Sequence, residues 1–153
     1  MKKILPYAFI ILVTIIFSIV MFYPRELTQI TGKEINVDIN TNLKIIYRQS
    51  ILEGGTTVDS YNSNDAKEIV RFLKSHRYVK MAYVNYQKFD DMDVYSISIK
   101  SDKNELLRIA TRGSGHLSII DKYGRWSTYR VIDGKFDLKF LETFYKSLSK
   151  NVN

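Results

Sequence analysis

The sequence predicts an α+β protein: an N-terminal transmembrane helix, then an antiparallel sheet of about seven or eight strands with two amphipathic helices on one face. Three observations lead there. Ile4 to Tyr23 (ILPYAFIILVTIIFSIVMFY) carries no charge. Most of the remaining chain alternates apolar and polar residues at period two between tight-turn residues, the pattern of half-buried strands. Two stretches change to a period near 3.6, the mark of helices with one buried face.

The apolar run comes first in the chain. A helix of roughly 20 residues rises about 30 Å, the thickness of a bilayer's hydrocarbon core, and pairs its own backbone amides there. Pro6 falls in the first turn, where its missing N–H is harmless. Lys2 and Lys3 precede the run and Arg25 with Glu26 follows it, so the flanks favour a cytoplasmic N-terminus and a C-terminal domain outside the cell membrane. The end of the run, Val20-Met21-Phe22-Tyr23-Pro24, offers no small-x-small site, which argues for an uncleaved signal anchor. The expected divisions are an anchor at 1–24, a short polar linker at 25–33 and an extracytoplasmic domain at 34–153.

Ile35, Val37 and Ile39 alternate with Asn36 and Asp38 and predict a first strand. Asn40-Thr41-Asn42 turns the chain into a second, Leu43 to Arg48. Gly54-Gly55 signals a hairpin returning through Thr56 to Tyr61. Asn64 or Asp65 can cap a helix in which Ala66, Ile69, Val70 and Leu73 form the apolar stripe, while Lys67, Arg71 and Lys74 look outward. Five strands follow: Tyr78 to Tyr86, Val94 to Lys100, Glu105 to Thr111, His116 to Ile120 and Trp126 to Ile132. Asp137 caps a last helix whose stripe is Leu138, Leu141, Tyr145 and Leu148, joined by Phe140 and Phe144, with Glu142 and Lys146 as an i, i+4 pair. Strands joined by tight turns must be antiparallel, and both stripes need the same sheet face.

Composition narrows the chemistry. The 153 residues include no cysteine, which removes disulfides, thiol catalysis and lipid attachment through a thiol. The net charge is +7, or +5 once Lys2 and Lys3 are set aside, and suits anionic neighbours. The basic residues are scattered, so no nucleic-acid partner is expected.

His76 reads as a surface residue at a helix end and His116 as the start of a strand. Neither has ligand-spaced partners, so no metal and no cofactor is expected. Arg112-Gly113-Ser114-Gly115-His116 lacks the first glycine of a nucleophile elbow. Its glycines are explained by turn geometry, and no catalytic residue is assigned. Arg112, Ser114 and His116 remain as an anion or ligand loop, with the Gly-rich backbone as donor. Asp90-Asp91-Met92-Asp93 lacks the glycine and distal glutamate of a calcium loop. Lys67, Arg71 and Lys74 form the candidate contact with an anionic surface. Tyr78, Tyr83, Tyr86, Phe89, Tyr95, Tyr123, Trp126 and Tyr129 either pack the core or expose an aromatic sheet face.

The segments NSNDAKEIVRFLKS (Asn62 to Ser75), VYSISIK and FDLKFLETFYKSL (Phe136 to Leu148) resemble small membrane-anchored extracytoplasmic proteins of Gram-positive, low-GC bacteria. That resemblance implies location and architecture and no activity. The expected function is a non-enzymatic binding or accessory module of the cell envelope, contacting another envelope protein or an anionic wall polymer. An immunity or exclusion protein at the membrane is the alternative. A hydrolase built on Ser114 and His116 is the reading the residues favour least.

Overall fold

A computed structural model describes residues 4–49, 54–82, 92–102, 104–113, 115–133 and 136–150. Its elements, in chain order, are α1 (Ile4–Phe22), α2 (Leu27–Thr31), β1 (Thr41–Arg48), β2 (Thr56–Ser60), α3 (Ser63–Lys74), β3 (Tyr78–Lys80), β4 (Val94–Ser101), β5 (Asn104–Thr111), β6 (His116–Ile120), β7 (Trp126–Val131) and α4 (Leu138–Lys150). The seven strands form one antiparallel sheet in the order β2-β1-β4-β5-β6-β7-β3. The α+β class is as the sequence predicts.

Among the described residues, no helix is long and apolar enough to cross a membrane. The transmembrane span expected over 1–24 is therefore not supported by the described helices.

Residues 25–33 are not the polar linker expected. Glu26 N–H donates to Gln29 Oε1 at 3.0 Å, as in a capping box, and opens α2. Gly32 closes it at φ 69°. Leu27 and Ile30, three residues apart, both enter the core, 0% and 2% exposed. Arg25 and Tyr78 exchange two backbone hydrogen bonds, 2.8 and 2.9 Å, which extend the sheet edge by one bridge. Lys122 N–H donates to Ile30 O at 2.9 Å, so α2 is also tied to the β6–β7 hairpin. A side chain at Gly32 would meet Lys122 Cβ at 2.5 Å.

The first expected strand is absent as well. Ile35 is buried, yet 34–38 pairs with no strand. Asp38 is the reason, because its carboxylate makes a turn. It accepts from Asn40 N–H (3.0 Å) and the Thr41 hydroxyl (2.8 Å), and from Ser101 Oγ (2.7 Å). β3 is shorter than the expected Tyr78 to Tyr86, and 83–91 lies outside the described residues.

The two long helices follow their stripes. Asn62, not Asn64 or Asp65, caps α3 by accepting from Asn64 N–H at 3.0 Å, while Asp65 accepts from Ser60 Oγ. Ala66, Ile69, Val70 and Leu73 are buried in α3, and Leu141, Phe144 and Leu148 in α4. They cover one sheet face, on which Leu43 and Ile45 of β1, Ile97 and Ile99 of β4, Ile109 of β5 and Ile119 of β6 point inward. Tyr78, Tyr95 and Tyr129 are buried among them, so three of the five described members of the predicted aromatic set are core, while Tyr123 and Trp126 are exposed. Tyr83, Tyr86 and Phe89 lie outside the described residues.

Asp121 organises the β6–β7 hairpin. Its carboxylate accepts from Tyr123 N–H (2.9 Å), Arg125 N–H (3.1 Å) and Ser127 Oγ (3.2 Å). Burial pushes its pKa up, but the hydrogen bonds from the Arg125 and Tyr123 amides and the Ser127 hydroxyl outweigh that and hold it below 3.8. The folded state thus favours the carboxylate. Its contribution is complete above the ordinary value and is lost as pH falls through the lower folded one. Melting temperatures of Asp121→Asn are expected to fall less steeply than wild type below about pH 4. Parallel curves for the two proteins over that range would sink the assignment.

Candidate functional site

Among the described residues, the opposite face of the sheet carries no helix. Because strand side chains alternate, the positions that skip the core share this face. On β1 they are Lys44, Ile46 and Arg48, and on β4 Ser96, Ser98 and Lys100. On β5 they are Arg108 and Ala110, with Arg112 just beyond. Register aligns them: Lys44 opposes Ser98, which opposes Arg108, and Ile46 opposes Ser96, which opposes Ala110. Together with Ser118 and Trp126 they line an open hollow of about 670 Å³.

The hollow is basic because no acid is among its described lining residues. The neighbouring Glu105 takes both the Arg108 guanidinium (Nε to Oε1, 2.7 Å) and the Ser98 hydroxyl (3.2 Å). Among the described residues, Lys44, Arg48 and Lys100 form no ion pair. Arg48 Nε is buried and has no acceptor. A buried donor left unpaired costs about 1–3 kcal/mol, so an incoming oxygen there would gain more than at an exposed cation. Gly55 shapes this corner: a Cβ there would meet Ile46 Cγ2 at 2.5 Å and Arg48 Cγ at 2.9 Å. Its bare backbone is what lets the arginine stem lie across β2.

The far side of the hollow is polar. Ser118 and Thr128 hydroxyls lie 3.3 Å apart, and Arg112 Nε donates to Ser118 Oγ at 3.4 Å. Arg112 N–H donates to His116 O at 2.8 Å, which closes the β5–β6 turn and sets both residues on the uncovered face. His116 opposes Arg130 on β7. Of the predicted loop, then, Arg112 and His116 are brought together at the rim, and Ser114 lies outside the described residues. Sequence reading did not bring Lys44, Arg48, Lys100 and Arg108 together on one face. The signal was available, since each sits one residue out of phase with a buried or, for Arg48, half-buried neighbour.

Lys67, Arg71 and Lys74 do lie on the exposed face of α3, beside a groove that they share with Ile35, Asn36 and Val37. Lys74 Nζ stands 3.8 Å from a carboxylate oxygen of Glu34. Three solvated cations on a helix make a weaker site than four or five converging from neighbouring strands. His76 is not at the surface. It is buried against Phe72 and Phe136, with Nδ1 at 3.0 Å from Asp133 Oδ2, and its Nε2 has no partner. Of the acidic loop, Asp90 and Asp91 lie outside the described residues, and Asp93 accepts from Tyr47 OH at 2.9 Å. Among the described residues no cluster could hold a metal ion.

No protein-family model, no curated protein and no solved structure matches this chain.

Proposed function

We propose that this chain is a single-pass cell-membrane protein whose outer domain is a non-enzymatic binding module of the envelope. Its uncovered sheet face takes an anionic partner, another envelope protein or a wall polymer. The observation that carries the binding reading is the convergence of Lys44, Arg48, Lys100 and Arg112 on one hollow with no acid among its described lining residues, the neighbouring Glu105 being engaged by Arg108. Serine hydroxyls beside those cations add neutral donors, as oxygen-rich anions require.

The membrane reading is supported by α1 itself. Its large apolar side chains from Tyr7 to Val20 are 47–68% exposed on every side of the helix, a surface that water disfavours and lipid accepts. Lys2 and Lys3 before the helix favour a cytoplasmic N-terminus. The resemblance to small anchored proteins of Gram-positive bacteria points the same way.

Full-length protein in lipid discs, titrated with long-chain polyphosphate, tests the face. Lys44→Glu together with Lys100→Glu is expected to weaken binding at least tenfold, that is by about 1.4 kcal/mol or more. Lys67→Glu with Arg71→Glu should leave it near wild type. Equal losses from both pairs would mean that net charge, not this hollow, holds the ligand.

A further inference from the structure

The tip of the β6–β7 hairpin has a composition unlike the other described turns. Tyr123 is 67% exposed and Trp126 52% exposed. Lys122 Nζ and the Arg125 guanidinium each lie 5.1 Å from the centre of the Tyr123 ring. Amphipathic aromatic rings between cations are what the headgroup layer of an anionic bilayer accommodates, with ring bodies toward the acyl boundary and charges toward phosphate. The tip is also stiff. The Asp121 carboxylate holds the Tyr123 and Arg125 amides, and Lys122 N–H is bonded to α2. Neither ring is therefore free to fold back onto the domain with its loop.

Strand register says where this tip sits. Arg25 pairs antiparallel with Tyr78, and β3 pairs antiparallel with β7, Tyr78 opposite Val131 and Lys80 opposite Tyr129. The residues before Arg25 therefore lie toward Lys80, and so toward the Trp126 end of β7 rather than its Val131 end. Tyr23 falls near the level of Lys80, and Trp126 about 10 Å further along the same direction. The chain thus leaves α1 at the end of the sheet that carries the hairpin tip.

We infer that the Lys122–Trp126 hairpin tip is a second membrane contact, seated in the headgroup layer of an anionic bilayer beside the point where α1 emerges. The inference rests on the membrane reading of α1 given above. It restricts the tilt of the domain to rotation about the line that joins the two contacts. Trp126 also borders the basic hollow, so the contact would place one rim of that hollow at the lipid surface.

Trp126 is the chain's single tryptophan, which makes it a reporter without labelling. The experiment uses the full-length chain in vesicles of mixed zwitterionic and anionic lipid, with acyl chains brominated near the headgroup in one preparation. Brominated lipid is expected to quench Trp126 emission by more than half. Acrylamide should quench it several-fold less than it quenches free N-acetyltryptophanamide. Tyr123→Ser with Arg125→Glu, both exposed positions, should reverse that preference while the chain still floats with the vesicles. A floating wild-type chain whose Trp126 is quenched by acrylamide and untouched by bromine overturns the hairpin contact alone. A chain left behind on flotation overturns the membrane reading of α1 and this contact with it.

Discussion

A fragment that begins at Glu34 is expected to be unfolded, whereas one that begins at Tyr23 keeps the sheet. The difference between them is the segment once expected to be a linker. It supplies Leu27 and Ile30, both fully buried, and each large-to-small loss in a core costs about 2–5 kcal/mol. Removing it also strips the Arg25 bridge from β3 and the Ile30 carbonyl from Lys122 N–H. The sum rivals the whole stability of a typical domain, about 5–15 kcal/mol. Circular dichroism and thermal melts of the two fragments decide the matter. A cooperative transition in the shorter one, within a few degrees of the longer, would mean that α2 merely rests on the fold.

Tyr78→Ala is expected to cost about 3–5 kcal/mol, the range for deleting a buried aromatic ring. Tyr78 is fully buried where three elements meet: β3, the end of α3 and the Arg25 bridge. Its hydroxyl donates to Leu73 O at 2.6 Å, a carbonyl in the last turn of α3 that the helix leaves without a full complement of partners. Burial, and then the nearby Asp133 charge, push the phenol well above its ordinary range, so it stays a neutral donor. Tyr78→Phe removes only that bond and should cost about 1–2 kcal/mol. Denaturant unfolding of the Tyr23 fragment separates the two terms. If alanine and phenylalanine cost the same, packing of the ring contributes little and the hydroxyl carries the effect.

What the sequence made legible was periodicity. The stripes of α3 and α4, the alternation in β4 and the tight turns between β4, β5, β6 and β7 all survive in the fold, because each depends on residues close in sequence. Two errors share a cause. Ile35, Val37 and Ile39 have a strand's alternation, but Asp38 bonds the turn beside it and no described strand pairs with them. Leu27 and Ile30 look like isolated apolar residues in a polar stretch, because a five-residue helix is too short to show a period. Long-range pairing decides both, and composition does not record it. The same holds for the basic hollow. That Lys44, Lys100 and Arg108 face away from the core follows from phase alone. That they face one another requires β1 to lie beside β4, across the whole of β2 and α3 in sequence. His76 was misread for the converse reason: its aromatic surroundings come partly from Phe136, 60 residues further on.

The Arg25–Tyr78 bridge gives the molecule a mechanical fuse. Any tension along α1 enters the domain at Arg25, through two backbone hydrogen bonds at the sheet's outer edge. Between β1 and β4, by contrast, eight residue pairs lie side by side and would share a load in parallel. A pull on the helix therefore opens the bridge first, then draws Leu27 and Ile30 out of the core, while the central strands and the face with Lys44 and Lys100 remain assembled.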